Sequence, residues 1–590
     1  MSTNPVNRMA LPLAAAGLAL LVWLPLGLAG VPLDTPDGFL HLGWAVGWAR
    51  QVQGGWLWPL WTDLPWAGAG SHALLLYPPL FRLLVGLPLL AGVPADQALA
   101  GALLAVLLLN AGGAALLARM WLRPGGWRWL LLAVACLNPY LLVNVYVRGA
   151  WPEALAQAWL WWLALGLLGL ARGRRWGIAV AAAALAGVIL SNWNGALLTG
   201  LVWALAALWL WRGPGLRGWG ISTALGLGIT APFWLPALRA LPGVRAPIPA
   251  GLLPQEFFFA GPAQSTTFSD LLWIQAAAIA VLLLLRWLGW LGWGWNGLRD
   301  RQALLAGWGL AVALISLALT LPPAELIYQG LPPLQRIQFP WRWLGPAWCG
   351  ALLWLCSPGA LSSRPGRLQA HRRLALGISS LAAAGLWFDS LNRFRTNVLG
   401  HAPSAAERQA LRQLLACDPL SPCPQGVAAL PATGELAKRF VALPDGRIAL
   451  AGVPDYSPAG IPEASWNKRL QTFWLPAWPQ NNWAQFSGAG RVHLLSHGPR
   501  ERRVLVEARE LGQLRVMQWA DPAWRVQWRR AGQPNQPWRD PLPAGGRDRE
   551  GWISVPLPPG QWEVVLSYGR MAEPQAAPCS PHPRATTARC

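Results

Sequence analysis

The sequence predicts a mainly α, polytopic helical membrane protein that ends in a β-rich domain of sandwich or jelly-roll type. Three observations predict it. Only 12% of the 590 residues are charged, against about 25% in ordinary soluble domains, while 54% are apolar. Apolar runs close to the ~20 residues needed to cross a bilayer recur up to about Asp389 and then stop. Short alternating runs bounded by Gly and Pro follow, the pattern of antiparallel strands. This composition excludes a soluble enzyme, a disordered chain and a disulfide-stapled secreted domain. The remaining oddities are 42 tryptophans and a net charge of +22, from 47 basic residues against 25 acidic. All but two of the bases are arginine.

The membrane domain is expected over 1–390, with eleven spans at 9–31, 96–118, 128–146, 152–171, 176–192, 196–211, 218–238, 271–289, 302–321, 341–357 and 373–389. The first run is too long, and too weakly basic at its start, for a cleavable signal. The run 74–92 is equally apolar, but Pro78, Pro79 and Pro88 break it and Arg82 lies within it. It is expected to lie in the outer interface, as part of a long first outer loop over 32–95. Arginine placement requires this. With 74–92 outside, sixteen of the 23 arginines up to Asp389 fall on one side, which positive short loops mark as cytoplasmic. The N-terminus is then cytoplasmic and the C-terminal domain extracytoplasmic. These arginines are used in topology, so +22 does not argue for nucleic acid as a partner. There is no P-loop, no paired Cys/His spacing and no G-x-S-x-G.

The acids disobey the arginine pattern. Of ten up to Asp389, only Asp300 falls on the cytoplasmic side, so any chemistry is expected outside. In the first outer loop Asp37 and His41 are four apart, one face of a helix starting near Pro36, and Asp34 is three residues earlier. A carboxylate here can act as general base toward a hydroxyl or bind a divalent cation, Mg or Mn, the only cofactor the pattern leaves room for. Aspartate at a helix start reads equally well as a cap. In NPYLLVNVYVRGAWPEALA, residues 138–156, Arg148 and Glu153 sit at the mouth of adjacent spans. They can close a helix hairpin as an ion pair, or Arg148 can hold a phosphate through two parallel hydrogen bonds. SNWNG at 191–195, with Asn194, suits a helix cap better than a polyol site. LPPLQRIQFPWRWLG at 331–345 sets Arg336 and Arg342 among aromatics, which suits either a lipid headgroup or plain anchoring of a helix end.

Four of these stretches carry a resemblance: DGFLH at 37–41, YPPLF at 77–81, YVRGAWPEALA at 146–156 and QFPWRWL at 338–344, in that order. They resemble the bacterial membrane proteins called 6-pyruvoyl-tetrahydropterin synthase-related, which in turn resemble the GT-C superfamily of polytopic glycosyltransferases. The resemblance implies a GT-C-like membrane domain in the bacterial inner (plasma) membrane. It implies transfer of sugar from a polyprenyl-phosphate donor to an extracytoplasmic acceptor, whether glycan, lipid or protein. Carried over, the catalytic acid is Asp37, with Asp34 as the alternative. His41 belongs to the motif without a defined role. Arg148, Arg336 and Arg342 become donor-phosphate candidates, with Glu153, Tyr77 and Asn194 in support.

A connecting region over 391–490 leads to the β-rich domain at 491–572 and a tail at 573–590. Strands are expected in 491–497, 502–510, 514–532 and 551–569, and the tryptophans there are expected in the core. Cys417 with Cys423, and Cys579 with Cys590, form two local pairs suited to disulfides on an oxidising side, whereas Cys136, Cys349 and Cys356 fall within spans. The sequence reading is thus a membrane glycosyltransferase. Two other classes are open: a non-catalytic scaffold for envelope polysaccharide assembly, and a lipid or polysaccharide transporter. A transporter should carry mid-span ionisable residues or an inverted repeat, and neither is evident.

Overall fold

Apolar runs without side-chain partners for their backbone groups fold as helices, since only that conformation satisfies every N–H and C=O within one segment in lipid. The computed structural model describes residues 5–32, 35–63, 70–211, 213, 215–245, 257–258, 269–290, 301–337, 339–357, 440–442, 448–450, 457–458, 483–498, 500–539, 546–549 and 551–569. Within them the helices begin with α1 (Pro5–Ala29), α2 (Gly38–Gln53), α3 (Ala73–Leu76), α4 (Leu80–Leu90) and α5 (Ala95–Trp121). Next come α6 (Gly126–Cys136), α7 (Pro139–Leu142), α8 (Trp151–Ala171), α9 (Arg175–Ser191), α10 (Trp193–Leu210) and α11 (Gly215–Ala240). The series closes with α12 (Ser269–Trp290), α13 (Arg301–Ala318), α14 (Glu325–Gly330), α15 (Pro332–Gln335) and α16 (Leu344–Leu355).

Ten of the eleven expected spans fall on these helices, and the last, 373–389, lies outside the described residues. The described residues do not confirm the expected number. Among the described residues six helices are long and apolar enough to cross a membrane: Met9–Leu28, Ala95–Trp121, Gly126–Val147, Trp151–Ala171, Trp193–Leu210 and Gly215–Gly243. Leu304–Ala318 and Pro322–Gly330 make a seventh only if counted together, because the chain bends by 92° between them. Prolines shorten two of the other expected spans. Pro322 and Pro323 stop the run after α13, and Pro340 opens a 3₁₀ turn that leaves α16 only 12 residues long. Pro139 interrupts 126–147, where Asn138 caps α7 and a π turn, Val143–Val147, continues the path.

The helices pack as membrane bundles do, through small residues. A Cβ on Gly177 of α9 would come within 2.6 Å of the Leu170 backbone of α8. Leu13, Leu20, Leu21 and Leu24 of α1, and Ile221, Leu225 and Ile229 of α11, are exposed, as a lipid-facing surface requires. The segment 74–92 does not span. Tyr77, Pro78 and Pro79 separate α3 from the 11-residue α4, and Trp23 near the end of α1 donates to Ala100 near the start of α5 at 2.7 Å. The described residues between α1 and α5 therefore sit at one end of the bundle. At the other end arginines close the helix termini, with Arg172 donating to Met120 O and Arg128 to Leu122 O.

Short strands β1 (Val244–Arg245), β2 (Phe440–Ala442), β3 (Ile448–Leu450) and β4 (Ser457–Pro458) form two small antiparallel pairs, β1 with β4 and β2 with β3. The rest make two antiparallel sheets from β5 (Ala484–Phe486), β6 (Gly490–His497), β7 (Glu501–Ala508), β8 (Gly512–Trp519), β9 (Trp524–Arg530), β10 (Trp552–Leu557) and β11 (Gly560–Tyr568). The orders are β10-β8-β5 and β6-β7-β11-β9. Alternating Val, Leu and Ile from both sheets fill the space between them. Trp524 and Trp562 are buried there, as expected of core tryptophans, while Trp519 and Trp552 are buried against each other with their rings stacked at 3.7 Å. One core residue comes from elsewhere. Trp61, fully buried, packs among Trp524 and Tyr568, so the first loop plugs the β-domain.

Candidate functional site

Asp37 occupies the N-cap position of α2, yet its side chain makes no capping hydrogen bond. Thr35 caps the helix instead, its hydroxyl accepting from the Gly38 N–H at 3.2 Å. The Asp37 N–H donates to the Arg148 carbonyl at 3.0 Å, which docks the start of α2 on the turn before α8. That approach is very close. A Cβ on Gly149 would meet the Gly38 nitrogen at 2.6 Å, and Gly149 has φ +67°, a conformation glycine adopts freely.

Released from capping, the Asp37 carboxylate lies 3.9 Å from the Arg148 guanidinium. Arg148 Nη1 donates to Glu153 at 3.1 Å and to Asn144 Oδ1 at 2.5 Å. The guanidinium also lies 4.5 Å over the ring of Trp341. Glu153 accepts from the Tyr140 hydroxyl and lies 3.6 Å from Arg342, itself 5.1 Å from the ring centre of Phe339. Two acids and two bases thus form one chain of contacts, Asp37 to Arg148 to Glu153 to Arg342, at the bundle end opposite the arginine collar. Glu153, Arg148 and Arg342 are buried. Asp37 is the open end, with 38% of its side chain exposed. Protein crowds it even so. Partial loss of water pushes its carboxyl above the usual carboxylate range, against the pull of Arg148 and Arg342 and with a smaller push from Glu153.

The expected residues are not all in this network. His41 is buried in an aromatic cage, its ring 5.3 Å from Trp44, 5.6 Å from Tyr77 and 6.0 Å from Phe81 and Trp151. Burial, helped by Arg148, lowers its pKa to about 3, so it stays neutral. Tyr77 lies 4.2 Å from Trp44, ring centre to ring centre, and belongs to the cage. Arg336 is exposed at the end of α15. Asn194 stands in the first turn of α10, and the cap of that helix is Asn192, which accepts from Gly195 N at 2.8 Å. Anchoring at a lipid interface does not describe the QFPWRWL motif, since Trp341, Arg342 and Trp343 are buried inside the bundle. Asp34, Gln338 and the cysteines at 417, 423, 579 and 590 lie outside the described residues. Cys136, Cys349 and Cys356 are buried thiols.

Sequence reasoning passed over Tyr140, Asn144 and Thr35. A signal was present for Asn144, four residues before Arg148, and none for Tyr140. Among the described residues no three His, Cys, Asp or Glu gather as a metal site. Of the two expected metal ligands only Asp37 is among the described residues, 3.9 Å from Arg148.

No family model matches the chain, and no curated protein does. Among solved structures, arabinofuranosyltransferase AftD from Mycobacteria is similar at 19% identity and a TM-score of 0.39, with 65% of this chain and 27% of that one covered. A mutant form of AftD gives 23%, 0.38, 65% and 28%. The chain spans little more than a quarter of the length of either neighbour.

Proposed function

We propose that this chain is a membrane glycosyltransferase that moves a sugar from a polyprenyl-phosphate donor to an extracytoplasmic hydroxyl acceptor, with Asp37 as general base. One observation carries the reading. Asp37 sits at a helix start without capping it, is open to an incoming molecule, and ends a buried chain of opposite charges. A structural aspartate would be capping or fully paired. The raised pKa is what a base working near neutrality needs.

The chemistry balances on these residues. The acceptor hydroxyl loses its proton to Asp37 as its oxygen bonds the anomeric carbon. The bond from that carbon to the phosphate oxygen breaks, and the electron pair leaves on polyprenyl phosphate. Before reaction two acids match Arg148 and Arg342. Once Asp37 is protonated, one positive charge is in excess as negative charge grows on the leaving phosphate, so Arg148 gains a reason to face it. Glu153, held by the Tyr140 hydroxyl, holds the arginines, neither residue touches substrate in this scheme, and His41 positions α2 by packing. No step needs a metal ion.

The test is direct. Purified chain in micelles is incubated with a panel of polyprenyl-phosphate sugars and hydroxyl acceptors, and free polyprenyl phosphate is measured. Release that depends on both donor and acceptor supports the enzyme. Donor crossing a liposome membrane without bond cleavage would mean a transporter, and donor binding without either would mean a scaffold.

A further inference from the structure

The start of α4 carries a buried cation for which the described residues supply no counter-ion. Arg82, the third residue of α4, is only 4% exposed. Its Nη1 donates to the Tyr77 carbonyl at 3.2 Å, and its Nε has no hydrogen-bond partner. Among the described residues no carboxylate forms an ion pair with it, whereas Arg148 and Arg342 both have Glu153. Burial depresses its pKa to about 9, and no neighbouring charge raises it back.

The surroundings add positive potential. No acid lies in the first turn of α4, and Pro79 at the N-cap offers no side-chain acceptor to the first amides. The N–H groups of Leu80, Phe81 and Arg82 therefore point out of the helix start, at the positive end of its dipole. The Arg82 side chain folds back over this same turn to reach Tyr77. An unpaired buried guanidinium is among the costliest groups a fold can hold, and it is retained where an anion completes it. Arginine with several amides suits the three oxygens of a phosphate.

We propose that Arg82 and the first turn of α4 form a phosphate-binding site, separate from the Asp37 network, for a phosphate group borne by a lipid or free in solution. The site lies at the Asp37 end of the bundle, in the segment that runs along the interface. It stands whether or not Asp37 is a base.

Thermal unfolding of the full chain in maltoside micelles tests it, with two probes: phosphatidic acid, and inorganic phosphate. Wild type is expected to show a saturable rise in Tm with at least one probe. A rise with phosphatidic acid alone assigns a lipid headgroup, and a rise with inorganic phosphate assigns the free anion. Arg82→Gln should lose that rise while its probe-free Tm equals or exceeds wild type, because an uncompensated charge has been removed. Arg82→Lys should keep part of it. A probe-free Tm that falls in Arg82→Gln with the rise intact would make Arg82 a structural donor to Tyr77, and overturn the proposal. If neither variant folds, hydrogen exchange in residues 77–90 of the wild type decides. Slowing by either probe supports the site, and no slowing by both overturns it.

Discussion

At the residue scale, the behaviour of Asp37 separates a working carboxylate from a structural one. Its pKa is raised by burial, so folding disfavours the ionised form relative to the unfolded chain. The sign follows: ionised Asp37 is a liability above its folded pKa, and that liability fades as pH falls through it. Asp37→Asn should therefore match or exceed wild type in Tm at neutral pH. A clear fall in Tm would show the carboxylate to be a structural ion-pair partner. Because the base must be ionised, transfer should rise with pH along a limb lying above the ordinary aspartate range. A pH profile of kcat/KM reads this limb. Gly149 gives a contrasting case. Gly149→Ala meets both a positive φ and the backbone of Gly38, so it should cost more than about 1 kcal/mol and loosen the docking of α2. Denaturant unfolding measures the cost. Asp37, Arg148 and Glu153 were legible because charged residues at a helix mouth stand out in an apolar sequence. Tyr140 was not, since a lone tyrosine in NPYLL carries no sign of the acid 13 residues away that it reaches.

At the scale of elements, α8 is the spine of the site. Glu153 lies in its first turn and faces both Arg148 and Arg342. Glu153→Gln removes the carboxylate that two buried guanidinium groups share, leaving Arg148 only the more distant Asp37, and about 3–5 kcal/mol of stability should be lost. Asn192→Ala is a milder change on a neighbouring helix. It removes one cap and should cost about 1 kcal/mol with transfer unchanged. If the two variants unfold at the same denaturant concentration, Glu153 is not the hub described. Helix positions were read well from apolar runs, whereas the number of spans is not confirmed among the described residues. Composition signals burial in something apolar without separating lipid from protein, and Pro322, Pro323 and Pro340 shorten helices whose runs look continuous. The two longest strand predictions divided for local reasons. Run 514–532 splits at the turn around Asp521, and run 551–569 at Pro558 and Pro559.

At the scale of the whole molecule, the β-domain holds the loop that presents Asp37. Trp61 fills its core, the His72 and Asp521 side chains meet at 2.7 Å, and Arg500 stacks 4.4 Å over Trp56 while donating to Gly54. Residues 449 positions apart in sequence make the buried His72–Asp521 contact, a pairing no local pattern announces. Trp61→Ala should open a cavity and cost about 3–5 kcal/mol. It should also expose residues 54–72 to protease while the helical bundle stays intact. Resistance of that segment in the variant would show that the domain does not clamp the loop. The central claim is that the open end of the charge network is a base. Single-turnover sugar transfer by Asp37→Asn and Asp34→Asn, with donor binding measured on the same samples, tests it most directly. Asp37→Asn is expected to bind donor as wild type does and to transfer at least about 100-fold more slowly, the scale of a lost general base. Full transfer by the Asp37→Asn enzyme would contradict the claim.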